Sequence, residues 1–241
     1  MLLDRNMAPP RGRYFTLLLW AATFAPVLGL SLGSRVVVTG GTGRTGRLVV
    51  DELLRSSTID AATNQTVPRY GAVRVLVRDK KKAEDTLPVT NERLEVMVGD
   101  LGSAKDIQRA ASGCDGAVWC ATGFSDAAGS PLQKLRGLFG VAVRPKQSID
   151  IAGIDQFSKA LLEAGEESDG GRRLVMLSSA GVTRPSWSDE KKAQLENAAD
   201  IPIVRLNPFD ILNKKCEAEQ ILRDSGLPYS IVRPCGLNDD W

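Results

Sequence analysis

The sequence predicts a doubly wound α/β domain built on a parallel sheet, and three observations predict it. From residue 34 onward, short apolar runs rich in β-branched residues alternate with segments of helical periodicity. The runs are apolar throughout rather than alternating, the pattern of strands covered on both faces. The first run also passes directly into four glycines, Gly40, Gly41, Gly43 and Gly46, and then into a helical pattern.

In chain order, residues 35–39 (RVVVT) predict the first strand. Residues 44–55 (RTGRLVVDELLR) predict the first helix, with Leu48, Val49, Leu53 and Leu54 at helical spacing. Strands follow at 72–78 and 94–100, then a short helix at 107–112 and a strand at 116–122. Beyond a longer irregular stretch (123–148) come a helix at 149–165, a strand at 173–179, a helix at 214–226 closed by Gly226, and a strand at 229–234. The sequence stops at LNDDW, just past that strand, so the expectation is a domain truncated at its C-terminus, short of a seventh strand.

Composition narrows the function classes. The chain has 241 residues, 43% hydrophobic and 25% charged, enough for one sizeable α/β domain and short for two. Its net charge is +2, and residues 1–33 carry that excess with three arginines against one aspartate, which leaves 34–241 neutral. No basic field remains to recruit nucleic acid. The four cysteines, at 114, 120, 216 and 235, lack CxxC spacing, and the chain has no histidine. That argues against a metal site and against a cysteine–histidine nucleophile, and it excludes a Ser-His-Asp triad. The cysteines read as reduced thiols.

The glycine cluster asks for a physical reason, since glycine weakens regular structure by about 0.5–1 kcal/mol per residue. Gly40, Gly43 and Gly46 form a G-x-x-G-x-x-G turn between strand and helix, with Thr42, Arg44 and Thr45 between them. Such a turn lets main chain approach a pyrophosphate, while the N–H groups at the helix start supply donors and partial positive charge. The strand-turn-helix setting is the context that motif requires.

Taken in order, TGGTGRTGRLVVDELL, VLVRDKKKAED, VMVGDL, VWCATG, VMLSSAG and LRDSGLPYSIVRP resemble the NmrA-like, atypical branch of the short-chain dehydrogenase/reductase superfamily, over about residues 35–235. The resemblance implies a Rossmann-type NAD(P)-binding domain. It implies that Arg78 and Lys82, in a V-R-D-x-x-K-A segment after the second strand, hold the 2′-phosphate of NADP. Asp79 could instead take the ribose hydroxyls of NAD, so NADP is the favoured cofactor and NAD the alternative. It implies further that Asp100 and Leu101 border the adenine, and that Ala121, Thr122 and Gly123 line the nicotinamide-ribose side. For each of these a strand end packed for its own sake is the competing reading.

Hydride-transferring members of the superfamily use a tyrosine acid, a lysine four residues later and a serine after the fifth strand. The lysine's charge favours the phenolate. The resemblance puts Ser178 and Ser179 in the serine place and Lys215 in the lysine place, with Lys214 as its alternate. Four residues before Lys215 stands Ile211, which carries no proton, and none of Tyr14, Tyr70 and Tyr229 precedes a lysine by four. The tyrosine-lysine pair is absent. A general acid would have to be Asp210, Asp126, a cysteine such as Cys216, or water, although a loop aspartate is more often a helix cap. Lys134, Arg136, Arg144 and Lys146, in the long irregular region, could grip an acidic ligand or simply form a solvated loop.

Residues 11–33 place two arginines before a short apolar run broken by Pro26, which fits a removable targeting segment better than a spanning helix. The words AATFAP resemble the cleavage motif of precursors bound for secondary plastids. Plastid import is therefore expected, with a secretory signal or a membrane anchor as the competing readings. The chain divides into a targeting segment, 1–33, and a dinucleotide domain, 34–241. Two functions compete. One is a dinucleotide-dependent regulatory or assembly factor with a protein partner, and the other is an NADPH-dependent reductase of a small or isoprenoid-like substrate.

Overall fold

The structure, a computed structural model, describes residues 32–122, 148–164, 172–194, 207 and 210–234. Gly123, Asp126, the basic residues at 134–146, Cys235 and the leader lie outside the described residues.

The expected parallel sheet is present. It has six strands in the order β5-β4-β1-β6-β7-β8, which are Ser34–Thr39 (β1), Tyr70–Val77 (β4), Leu94–Val98 (β5), Gly116–Trp119 (β6), Arg173–Leu177 (β7) and Tyr229–Val232 (β8). Every pairing between neighbours in this sheet is parallel. The order runs outward in both directions from a central β1, the arrangement of a doubly wound nucleotide fold.

Helices cover both faces. Helix α1 (Arg44–Arg55) matches its expected bounds and lays Val49, Val50, Leu53 and Leu54 on Val36, Val38, Val73 and Val75. Helix α2 (Lys80–Thr86) adds Ala83 to that layer. The opposite layer is built by α3 (Ala104–Ala111), α4 (Ile154–Glu163) and α6 (Ile211–Asp224), whose Ile107, Phe157, Leu161 and Leu222 meet Val37, Trp119, Leu174 and Met176. Helix α5 (Asp189–Gln194) buries none of its residues. The middle of β1 is buried on both faces, which explains its run of three valines, Val36 to Val38.

Several details depart from the sequence expectation, among them α2, α5 and a 3₁₀ turn at Ala180–Ser186, none of which was expected. Strands β4 to β8 end one to three residues earlier than the apolar runs suggest, because each ladder stops where its neighbour stops. Thr39 pairs with Trp119, for example, and Cys120 onward leaves the sheet. The expected helix 149–165 begins as a π turn at Ile149–Gly153 before α4. A small antiparallel hairpin, β2 (Ser57–Ile59) with β3 (Thr66–Pro68), lies between α1 and β4, where no element was expected. The period-2 pattern of TID and TVP around the DAATNQ turn was its signal.

Candidate functional site

All six parallel strands point their C-terminal ends at one edge, and β1 and β6 are neighbours whose following helices pack on opposite faces. That switch point is where a doubly wound sheet leaves a crevice. The glycine turn stands on it. Gly40 takes φ +69°, and a Cβ there would lie 2.7 Å from the Ala121 nitrogen, so only glycine lets the turn sit against the end of β6. A Cβ on Gly46 would lie 2.1 Å from the Gly40 oxygen, and on Gly41 2.4 Å from a Val75 methyl. Gly43 differs: a Cβ there would meet a single atom, the Gly40 oxygen at 3.1 Å, and is otherwise in open space. Three glycines thus serve packing, and Gly43 is the one whose bareness faces outward.

Gly43 is also the N-cap of α1. No side chain caps this helix, and no acid stands in its first turn. The helix opens with a partial positive charge at its N-terminus. Thr42 and Thr45 are half-buried and Arg44 is exposed beside this opening.

At the end of β4, Arg78 is exposed, and so is Lys82 one turn into α2. Asp79 caps α2, its Oδ1 accepting from the Lys82 nitrogen at 3.1 Å. Asp100 closes its own turn, accepting from the Gly102 nitrogen at 2.8 Å, and Leu101 packs against the α3–α4 layer. Ala121 is buried and Thr122 half-buried next to Gly40.

A match to the family model described as NAD(P)H-binding covers residues 40–241. The chain belongs to this NAD(P)H-binding family. Two uncharacterized chloroplastic proteins of Arabidopsis thaliana are each 29% identical to it, over 86% and 85% of this chain and 60% and 53% of theirs. The chloroplastic protein TIC 62 of the same plant is 29% identical over 84% of this chain and 27% of its own length. The chain therefore spans between about a quarter and three fifths of the length of these three relatives. Among solved structures, Pen from Bacillus thuringiensis superposes with a TM-score of 0.50 at 15% identity, covering 84% of this chain and 51% of that one, and shares the fold. The expected resemblance is borne out at the level of the NAD(P)H-binding family.

The residues of this NAD(P)H-binding domain fit a dinucleotide at the turn. The cradle at Gly43 is one that a Cβ would fill, and the uncapped helix start offers donors to an anion.

At the other end of the site the side chains are arranged differently. Lys215, on the first turns of α6, is 12% exposed and donates from Nζ to the Leu177 carbonyl at the end of β7, at 3.3 Å. The same Nζ stands 3.7 Å from Oδ1 of Asp150, which is fully buried on the π turn. Cys120 lies within reach of that ammonium. Burial pushes its thiol up to about 12, against the opposing pull of the Lys215 charge. Ser178 donates its hydroxyl proton to Glu219 Oε1 at 2.5 Å. Glu219 also accepts from Arg223 at 2.9 Å and from Arg233 through Nε at 2.9 Å and through Nη2. Burial alone would raise the Glu219 carboxyl, but the hydrogen bonds from Arg233, Ser178 and Arg223 outweigh it and hold it below the usual carboxylate range. Ser179 accepts from the Gly181 nitrogen at 3.3 Å and opens a 3₁₀ turn at Ala180–Ser186.

The described tyrosines are at the wrong edge for proton transfer. Tyr70 and Tyr229 begin β4 and β8, at the N-terminal ends of the strands. Asp210 sits at the N-cap of α6 with φ 61°, yet its carboxylate accepts from the Asn213 side chain at 2.6 Å, while Asn207 accepts from the Leu212 nitrogen at 2.8 Å. Asn207 does the capping that was expected of Asp210. Sequence reasoning did not single out Asp150 or Glu219 as site residues. Asp150 had one available signal, an acid inside an otherwise apolar stretch, whereas Glu219 lies in a charged helical sequence that gave none.

Proposed function

We propose that this chain is an NADP(H)-dependent regulatory or assembly factor of the atypical short-chain dehydrogenase/reductase type. In this reading, bound dinucleotide stabilises a surface for a protein partner. Gly40, Thr42, Gly43, Arg44, Thr45 and Gly46 form the diphosphate end, and Arg78 and Lys82 take the 2′-phosphate. Asp100 and Leu101 border the adenine, Ala121, Thr122 and Gly123 line the second ribose, and Lys215 grips it. When bound, the nicotinamide supplies a hydride donor or acceptor. The observation that carries the reading is a disparity between the two ends. The bare, uncapped start of α1 suits an anion, while at the far end the Ser178 hydroxyl is engaged as a donor to Glu219 and the described tyrosines stand at the opposite edge.

Asp79 supports NADP over NAD, because a carboxylate capping α2 is drawn away from a ribose. The chloroplastic relatives support plastid import through residues 1–33.

The reductase reading keeps one specific support. Lys215 is held half-buried at the strand ends, and Ser179, which accepts a bond, keeps its own proton to offer a carbonyl. Titration of the full chain with NADPH and NADH, followed by nicotinamide fluorescence, tests the cofactor. NADPH is expected to bind tighter, and no binding of either would refute the reading. Stopped-flow oxidation of the bound NADPH by a panel of carbonyl and enone compounds separates the two functions. Capture of a partner from plastid extract only when NADPH is present would favour the first, and turnover would favour the second.

A further inference from the structure

The least expected charge in the molecule is Asp150. Burying a carboxylate costs several kcal/mol even after relaxation, yet Asp150 is 0% exposed and stands 3.7 Å from an ammonium that is itself only 12% exposed. Its backbone is unusual as well. Asp150 belongs to a π turn, a form that occurs mostly as single-turn bulges and often at functional sites. The turn is seated on Trp119, since a Cβ on Gly153 would lie 2.5 Å from the indole. The indole sets the height of the turn, and the turn aims the carboxylate at α6.

The opposite partner gains from being held. A lysine carries about 2 kcal/mol of rotamer entropy on a flexible stem, so a free Lys215 would meet a ligand only by giving that freedom up. Here Nζ is held between two elements, the Leu177 carbonyl of β7 and Asp150 of the π turn. Leu177 ends β7, Cys120 follows the last residue of the neighbouring β6, and Cys120 donates its backbone N–H to the carbonyl of Thr39, one residue before the glycine turn. The ammonium is therefore fixed on the same ledge of strand ends as the anion cradle, with donors to spare beyond the Leu177 carbonyl.

We propose that Asp150 is a positioning residue, holding Lys215 as a preformed grip for the nicotinamide-side ribose of the dinucleotide. The proposal rests on the cofactor reading above and adds to it the group that makes the lysine effective. A purely structural role, clamping α6 to the π turn, would stabilise the protein without distinguishing one half of the ligand from the other.

The test uses the full chain and two probes, NADPH and adenosine 2′,5′-bisphosphate, which lacks the nicotinamide riboside. In Asp150→Asn, NADPH affinity is expected to fall about tenfold, the loss of one charge-assisted hydrogen bond, while bisphosphate affinity is unchanged. Lys215→Met should do the same, and the double variant should fall no further than either single one. Should Asp150→Asn fail to fold, the double variant, which strands no buried charge, decides by the same comparison. NADPH binding at the wild-type level, or equal weakening of both probes, overturns the proposal. If wild-type protein binds the bisphosphate but gains nothing from the nicotinamide half, this proposal fails and the cofactor site stands. Binding of neither probe fails both.

Discussion

Alanine at Gly46 and alanine at Gly43 should damage this protein in different ways, although the two glycines occupy equivalent places in the G-x-x-G-x-x-G pattern. At Gly46 the new Cβ would lie 2.1 Å from the Gly40 oxygen, 2.7 Å from its carbon and 2.9 Å from the Gly41 Cα. All three are backbone atoms, so no side chain can swing away. An ordinary carbon–oxygen contact is about 3.3 Å, and turn and helix must part by about 1 Å to restore it. Overpacking of this kind costs about 1–3 kcal/mol. At the upper end that is a fall in Tm of about 6–12 °C for a domain of this size. At Gly43 the contact is 3.1 Å to a single atom, and φ −81° with ψ 169° suits any residue. Stability there should stay within about 1 kcal/mol of wild type, helped by reduced freedom of the unfolded chain. The methyl would instead occupy the space an anion needs. Losing hydrogen bonds to a charged group is worth about 1.5–3 kcal/mol, so NADPH affinity should drop by about 10- to 150-fold. Thermal melts and fluorescence titrations on the two variants separate the effects. Unchanged NADPH affinity in Gly43→Ala would refute the cradle, and an unchanged Tm in Gly46→Ala would refute the packing analysis.

Three further outcomes are expected. Glu219→Gln takes the charge from beneath Arg223, Arg233 and Ser178 and should cost about 1–3 kcal/mol at neutral pH, since both arginines keep over a third of their side chains in water. Because the folded carboxyl titrates below its unfolded value, its contribution is complete above the unfolded value and is lost as pH falls through the folded one. The gap in urea midpoint between wild type and variant should therefore narrow in acid, and a constant gap down to strongly acid pH would contradict this account. Arg78→Ala should weaken NADPH by about tenfold and leave NADH unaffected, the cost of one lost charge-assisted contact; equal weakening of both would assign Arg78 another role. Iodoacetamide at pH 8 should label exposed Cys216 well before Cys114, pushed up to about 11 by burial, or Cys120, pushed up to about 12. Peptide mapping by mass spectrometry reads the order, and early labelling of Cys120 would overturn the burial assigned to it.

The sequence by itself determined the doubly wound sheet, because a strand covered on both faces reads as a continuous apolar run rather than an alternating one, and the three central valines of β1 show this. It determined α1 to the residue, because a glycine turn before it and a period of 3.6 within it fix both the start and the buried stripe. It located the glycine turn between β1 and α1, since glycine density directly after a strand marks a close approach of main chain. Tertiary structure alone decided which glycines are bare for the protein's own packing and which one faces open space, because Gly46 meets Gly40 only after helix and turn are folded together. It also decided that Ser178 faces Glu219, from α6, and that Asp150 faces Lys215 across some sixty-five intervening positions of chain. Local propensity carries no record of such pairs. They exist because α6 and the π turn pack on the same face of one sheet, where burial makes each charge depend on its partner.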